Sequence, residues 1–225
     1  MPAHQKRLPR YPTHAAWLAD ELRWIRARAR HRIARRNQSA LVAQFPVTVP
    51  DEARESVRLS LFAWGERVVE NGRAANAWRQ EIDHRLNTGR MGRKPMTLDR
   101  VQRSLDLDEF ERMVVLLTGA PLLQRELEPL YDDLGGRHLE GACTPAVIFE
   151  LLGQFDEQRV ALRARFAAEA PLRQHGLLSI AAEPHHPDFL DARLSLTQRG
   201  LATLLGTPEH PQPMPKTDLT GDTHA

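Results

Sequence analysis

Apolar positions divide the chain into two halves with different rhythms. In the first half they are sparse but regular. Leu18, Leu22, Ile25, Ala29 and Ile33 alternate spacings of four and three, which is one stripe along a helix. Thr13 stands before that stripe as a cap, and the arginines around it extend to Asn37, where the helix is expected to end. Residues 38–49 contain Pro46 and precede Pro50, so they read as a loop or extended segment. From Asp51 a second helix is expected. Val57, Leu61, Trp64, Val68, Ala75, Trp78 and Ile82 form a heptad-like seam, with Asn71 in its one gap. Such a seam needs a partner helix, in this chain or in another copy. Asn71-Gly72 is a turn signal, yet the heptad phase runs across it, so one kinked helix is the expectation.

The second half is denser in apolar residues and shorter in period. After a basic linker at 87–95, Thr97 caps a short helix carrying Leu98, Val101 and Leu105. Asp108 caps another through Leu117, with Phe110, Met113, Val114 and Leu117 as its buried face and Gly119 and Pro121 as its end. A helix over 122–134 stops at Gly135-Gly136. Thr144-Pro145 is a cap followed by proline at the first helical position, opening a helix to Leu152. Residues 155–168 read as one helix with Val160, Leu162 and Phe166 inward. Strands are expected at 177–180 and 192–196, and Thr197 caps a final helix to Leu205. The four prolines after Gly206 predict a disordered tail.

The Phe110-Glu111-Arg112 start, the Glu126-Leu127 to Leu130-Tyr131 spacing, Pro171-Leu172 with His175-Gly176-Leu177, and the closing Leu204-Leu205-Gly206 carry a resemblance. Over 105–206 the chain resembles the winged-helix domain that precedes the motor in bacterial AAA ATPases, including those encoded with contractile injection systems. Trp17-Leu18-Ala19 through Ile25 is a weaker echo of a helix such ATPases place ahead of it. With the periodicity, the resemblance gives a mainly α fold: long N-terminal helices at 13–88, hairpin or coiled-coil-like, then a winged helix at 97–206 with a small β-hairpin, and a disordered tail at 207–225. It also implies an accessory module whose partner is an AAA ATPase or an assembly component.

A motor is missing from the string. No GxxxxGK[ST] occurs; Gly89-Arg90-Met91-Gly92-Arg93-Lys94 has glycines and cations but neither the closing Gly-Lys-Ser/Thr nor a strand before it. Other chemistry fares no better. His138-Leu139-Glu140 near Cys143 has the His-x-Glu of zinc deaminases without their Pro-Cys-x-x-Cys. Cys143 beside His138 lacks an oxyanion site, and His185-His186 with His175 is a thin metal set. Asp106, Asp108, Glu109 and Glu111 read as helix capping. No catalytic residue, metal ligand or cofactor site is assigned, and the chain is expected not to be an enzyme.

Charge sharpens the picture. The net charge of +2 hides a balance of +8 over residues 1–37 and −6 over the rest. A basic arm on an acidic body binds nucleic acid non-specifically, acidic lipid, a partner, or the chain's own acidic body. The helix expected at 145–152 reads PAVIFELL and offers no side chain to base edges, which favours protein contact over DNA readout. The candidate interaction face is Arg23, Arg26, Arg30, Trp64, Trp78, Arg90, Arg93 and Lys94, with self-association through the helical arm as a further expectation. One cysteine, no apolar run of membrane-spanning length and no apolar leader point to a reducing cytoplasm and no membrane partner. The purified chain is expected to release no phosphate from ATP above buffer in a malachite-green assay, since nothing in it cradles a triphosphate.

Overall fold

The computed structural model describes residues 11–44, 51–90, 97–135, 141–153, 156–181 and 189–207. Two long helices lead. Thr13 starts α1 (His14–Gln44): its hydroxyl accepts the Ala16 N–H at 3.1 Å and its carbonyl the Trp17 N–H at 3.3 Å. α1 runs seven residues past Asn37, through residues expected to be a loop, because nothing breaks a helix before Pro46 and Gln38 still packs on the next helix at Gly65. α2 (Arg54–Arg90) follows a 3-10 turn at Asp51–Ala53. It includes 87–90, which had read as linker; residues 91–96 lie outside the described residues.

The heptad seam of α2 finds its partner in α1. Contacts run antiparallel: Asp20 reaches Arg85, Glu21 reaches Arg79, His31 reaches Val68 and Gln38 faces Gly65. Asn71-Gly72 does not divide α2. A Cβ at Gly72 would lie 3.0 Å from the His31 ring, so glycine is the residue that lets this ring close on the helix. His31 Nδ1 donates to the Val68 carbonyl at 3.0 Å, which fixes that tautomer because a carbonyl only accepts. Burial lowers the His31 pKa, keeping the ring neutral.

The body is built from α3 (Thr97–Ser104), α4 (Glu109–Leu123), α5 (Glu128–Gly135), α6 (Pro145–Leu152), α7 (Asp156–Arg163), α8 (Pro171–Gln174), β1 (Leu178–Ala181), β2 (Arg193–Leu196) and α9 (Gln198–Leu205). α4 opens with a capping box: the Glu111 N–H donates to Asp108 at 2.8 Å and the Asp108 N–H to Glu111 at 2.9 Å. It is buried all round from Glu111 to Pro121. Gly119 and Pro121 do not end it. Pro121 has no N–H for the Leu117 carbonyl four residues back, and the Tyr131 hydroxyl supplies the missing donor at 2.9 Å. Gly119 is where the Leu204 and Leu196 side chains press on α4; a Cβ there would meet them at 2.1 and 2.8 Å.

The expected helix over 122–134 is divided. Gln124 is extended, a 3-10 turn spans Arg125–Leu127, and α5 then begins with Pro129 in its first turn. Proline is tolerated there, whereas an unbroken helix would set its ring against the carbonyl four residues back. The expected helix over 155–168 is shorter too: α7 is followed by a 3-10 turn at Ala164–Phe166. Phe166 is buried and Leu162 partly so, but Val160, expected inward, is 77 % exposed. Two residues apart on a helix point to opposite sides, so turning Leu162 in turns Val160 out.

β1 and β2 pair antiparallel in the register Leu178↔Leu196, Ser179↔Ser195, Ile180↔Leu194 and Ala181↔Arg193. Cys143 adds a one-residue third rung by accepting the Leu194 N–H at 2.9 Å. Thr197 caps α9 as expected. Trp17, Ile25 and Ala29 of α1 and Ile82 of α2 join Leu116, Tyr131, Phe149, Leu172 and Leu204 in one buried cluster. Tyr131→Phe is expected to cost about 1–3 kcal/mol in urea unfolding, since it strands the buried Leu117 carbonyl; an unchanged midpoint would show that this carbonyl has another donor.

Candidate functional site

α1 displays its charges on two sides, and most of them face inward partners. Arg28, Arg32 and Arg36 are spaced by four and share one face. Arg28 Nε donates to the Leu151 carbonyl at 2.9 Å, Arg32 Nε to Glu150 at 3.1 Å, and Arg36 Nη1 to the Leu134 carbonyl at 3.2 Å, with its Nη2 on the Asp133 carbonyl. The carbonyl acceptors are the C-terminal ends of α6 and α5, where helix carbonyls lack intrahelical donors and the dipole is negative, and the Glu150 carboxylate lies in the last turn of α6. Burial, with Arg32 and Arg35 close by, pulls the Arg28 pKa below the usual guanidinium range. Arg26 lies 3.8 Å from Glu126.

On the α2 side sit Asp20 and Glu21, the two acids of the first 37 residues. Both are buried. Glu21 accepts from Trp17 Nε1 at 3.0 Å and from Arg79 at 3.2 Å; Asp20 accepts from Arg23 at 2.7 Å and Arg85 at 2.8 Å. Three of these arginines also lie over rings: Arg23 over Trp78 and Arg79 over Trp24, each at 5.4 Å, and Arg85 over Tyr11 at 4.0 Å.

The candidate face is thus distributed. Arg23 is tied to Asp20 and Trp78, and Arg26 to Glu126. Arg30 is exposed and has no ion pair among the described residues. Trp64 is half-buried on the seam under Arg67, 4.8 Å from its ring centre. Arg90 closes α2, while Arg93 and Lys94 lie outside the described residues, as do His138, Glu140, His185, His186 and the tail from 208. Cys143 is buried, its thiol pushed up to about 12 by burial, which leaves it protonated and unreactive at neutral pH. Among the described residues no group of three or more His, Cys, Asp or Glu could hold a metal ion, and no helix is long and apolar enough to cross a membrane.

Two features were missed. The destination of the arginines was carried only by the four-residue spacing of Arg28, Arg32 and Arg36. A second apolar line on α2, Leu59, Phe62 and Val69, lies off the seam and is exposed; its spacing of three and seven is the signal.

A helix, a one-residue rung at Cys143, the helices α6 to α8 and the β1–β2 hairpin, closed by α9, define a winged-helix protein, here with a long helical hairpin packed on its body. The family model described as winged helix domain, variant, matches residues 1–214, and the chain belongs to that family. Proteins of this architecture are modules for binding DNA or protein. No curated protein and no solved structure matches the chain.

Burial outweighs the pull of Arg79 and Arg112 and holds Glu21 above the usual carboxylate range. The folded chain therefore keeps this proton to a higher pH than the unfolded chain does. Its contribution falls as pH rises from the unfolded value near 4.5 through the raised folded one. Glu21→Gln keeps an acceptor for Trp17 without a charge to desolvate. Its stability relative to the parent is expected to improve across that window by up to about 1.4 kcal/mol per pH unit. Urea midpoints of both proteins against pH measure this, and a constant difference would refute it.

Proposed function

We propose that this chain is a non-enzymatic adaptor, a winged-helix module that docks on a protein partner. The partner class is the one implied by the resemblance at 105–206: an AAA ATPase or an assembly component of the contractile-injection type, met in the cytoplasm. One observation carries the preference for protein over nucleic acid. The arginines of α1 that would form a phosphate-binding arm are largely engaged by the chain's own carbonyls and carboxylates. Releasing them would strip the caps from α5 and α6. α6 fits the same reading, since Val147, Ile148, Phe149 and Leu151 are fully buried and present no reading edge.

The second reading is non-specific DNA binding. It is favoured by Arg30 and Arg35, which are exposed with no ion pair among the described residues. Duplex affinity against salt separates the two. The adaptor reading expects weak binding with a slope near zero, and retention of an AAA ATPase or tail-like assembly protein after nuclease treatment. A slope of about −0.9 per neutralised phosphate, reduced in an Arg30→Glu/Arg35→Glu variant, would establish the DNA reading instead. Point variants suit this test better than removal of α1, whose Trp17 and Ile25 belong to the core.

A further inference from the structure

The exposed apolar line of α2 lies beside a groove between the two long helices, where Gln38, Leu61, Phe62, Gly65 and Val69 are among the lining residues. Phe62 is 68 % exposed, Leu59 62 % and Val69 51 %. Large apolar side chains grouped on one helix face mark an interaction surface. Gly65, three residues from Phe62, is already covered by the chain's own Gln38, whose amide would lie 3.1 Å from an added Cβ, so the free part of this face is the apolar line itself.

We propose that this face is occupied by a second copy of the chain, in a two-fold dimer with the α2 helices antiparallel. The argument is self-complementarity. An isologous contact requires each feature of a surface to find its complement at an equal distance on the other side of one axis. Leu59 and Val69, two apolar side chains, have their midpoint at 64. Glu55 and Arg73, opposite in charge, also have theirs at 64. These last two are 18 residues apart, five helical turns and about 27 Å along one line of the helix. Both are exposed, and neither has an ion pair among the described residues. A single axis near residue 64 therefore brings the two copies of Phe62, each two residues from it, together, sets Leu59 against the partner's Val69, and places Glu55 opposite the partner's Arg73 twice.

One group opposes the contact. Glu66 is two residues from the axis, so the two copies of its carboxylate approach each other. Replacing it with glutamine should tighten the dimer. The dimer holds for an adaptor and for a DNA-binding protein alike, so its test does not depend on which reading of function stands.

Sedimentation equilibrium of the full chain is the experiment, with circular dichroism to confirm that each variant is folded. A concentration-dependent rise to twice the mass of one chain is expected. Phe62→Glu, Glu55→Arg and Arg73→Glu should each weaken association about tenfold or more, because the contact is used twice. The double variant Glu55→Arg/Arg73→Glu should recover most of the parent affinity, and Glu66→Gln should exceed it. A chain that stays monomeric at every concentration overturns the proposal, as does a dimer indifferent to Phe62→Glu. Charge reversals that do not rescue each other overturn the antiparallel two-fold arrangement. A monomer that loses an AAA ATPase partner on Phe62→Glu assigns the face to that partner instead.

Discussion

The C-terminal carbonyls of α5 and α6 point at α1, where Arg36 and Arg28 meet them, and Arg32, between the two, pairs with the Glu150 carboxylate of α6. This contact sets the place of α1 on the body. A helix C-terminus needs donors and tolerates positive charge, and here a neighbouring helix provides both. With α1 held there, its opposite side is free for α2. Asp20 and Glu21 then take Arg85 and Arg79 and set the register of the hairpin. Three of the ten cations behind the +8 balance, which reads as an arm for phosphate, are wiring between a helix and the ends of two others.

The same logic of donors owed and supplied governs the middle of the body. α4 is buried on every side, so an unpaired carbonyl in it would cost about as much as a lost hydrogen bond. Pro121 creates such a carbonyl, and Tyr131 answers it from α5. Glycine does the complementary work of space. Gly119 takes the Leu204 and Leu196 side chains, and the Gly200 position approaches the Leu177 carbonyl so closely that a Cβ would lie 2.1 Å from it. α9 can close over the sheet only because both are glycine. What is left outside, among the described residues, includes the off-seam face of α2 and the exposed Arg30 and Arg35, the surfaces on which the proposed contacts rest.

Local signals determined much of this protein. Thr13, Asp108, Thr144 and Thr197 marked helix starts, since a cap bonds within three residues of itself. The heptad rhythm from Val57 to Ile82 announced one long helix that would bury a stripe, and it carried the chain past Asn71-Gly72. The absence of a phosphate-binding loop and of a second cysteine was likewise plain in the string. Tertiary structure decided the rest. Whether Pro121 ends a helix depends on a tyrosine ten residues away in sequence, and the side of α7 that faces inward depends on what lies beneath Leu162. Whether the arginines of α1 face water or carbonyls depends on where α5 and α6 end in space. Propensity and spacing describe what a segment can satisfy by itself; buried donors, acceptors and charges are satisfied by whatever the fold brings next to them, and no local pattern encodes that neighbour.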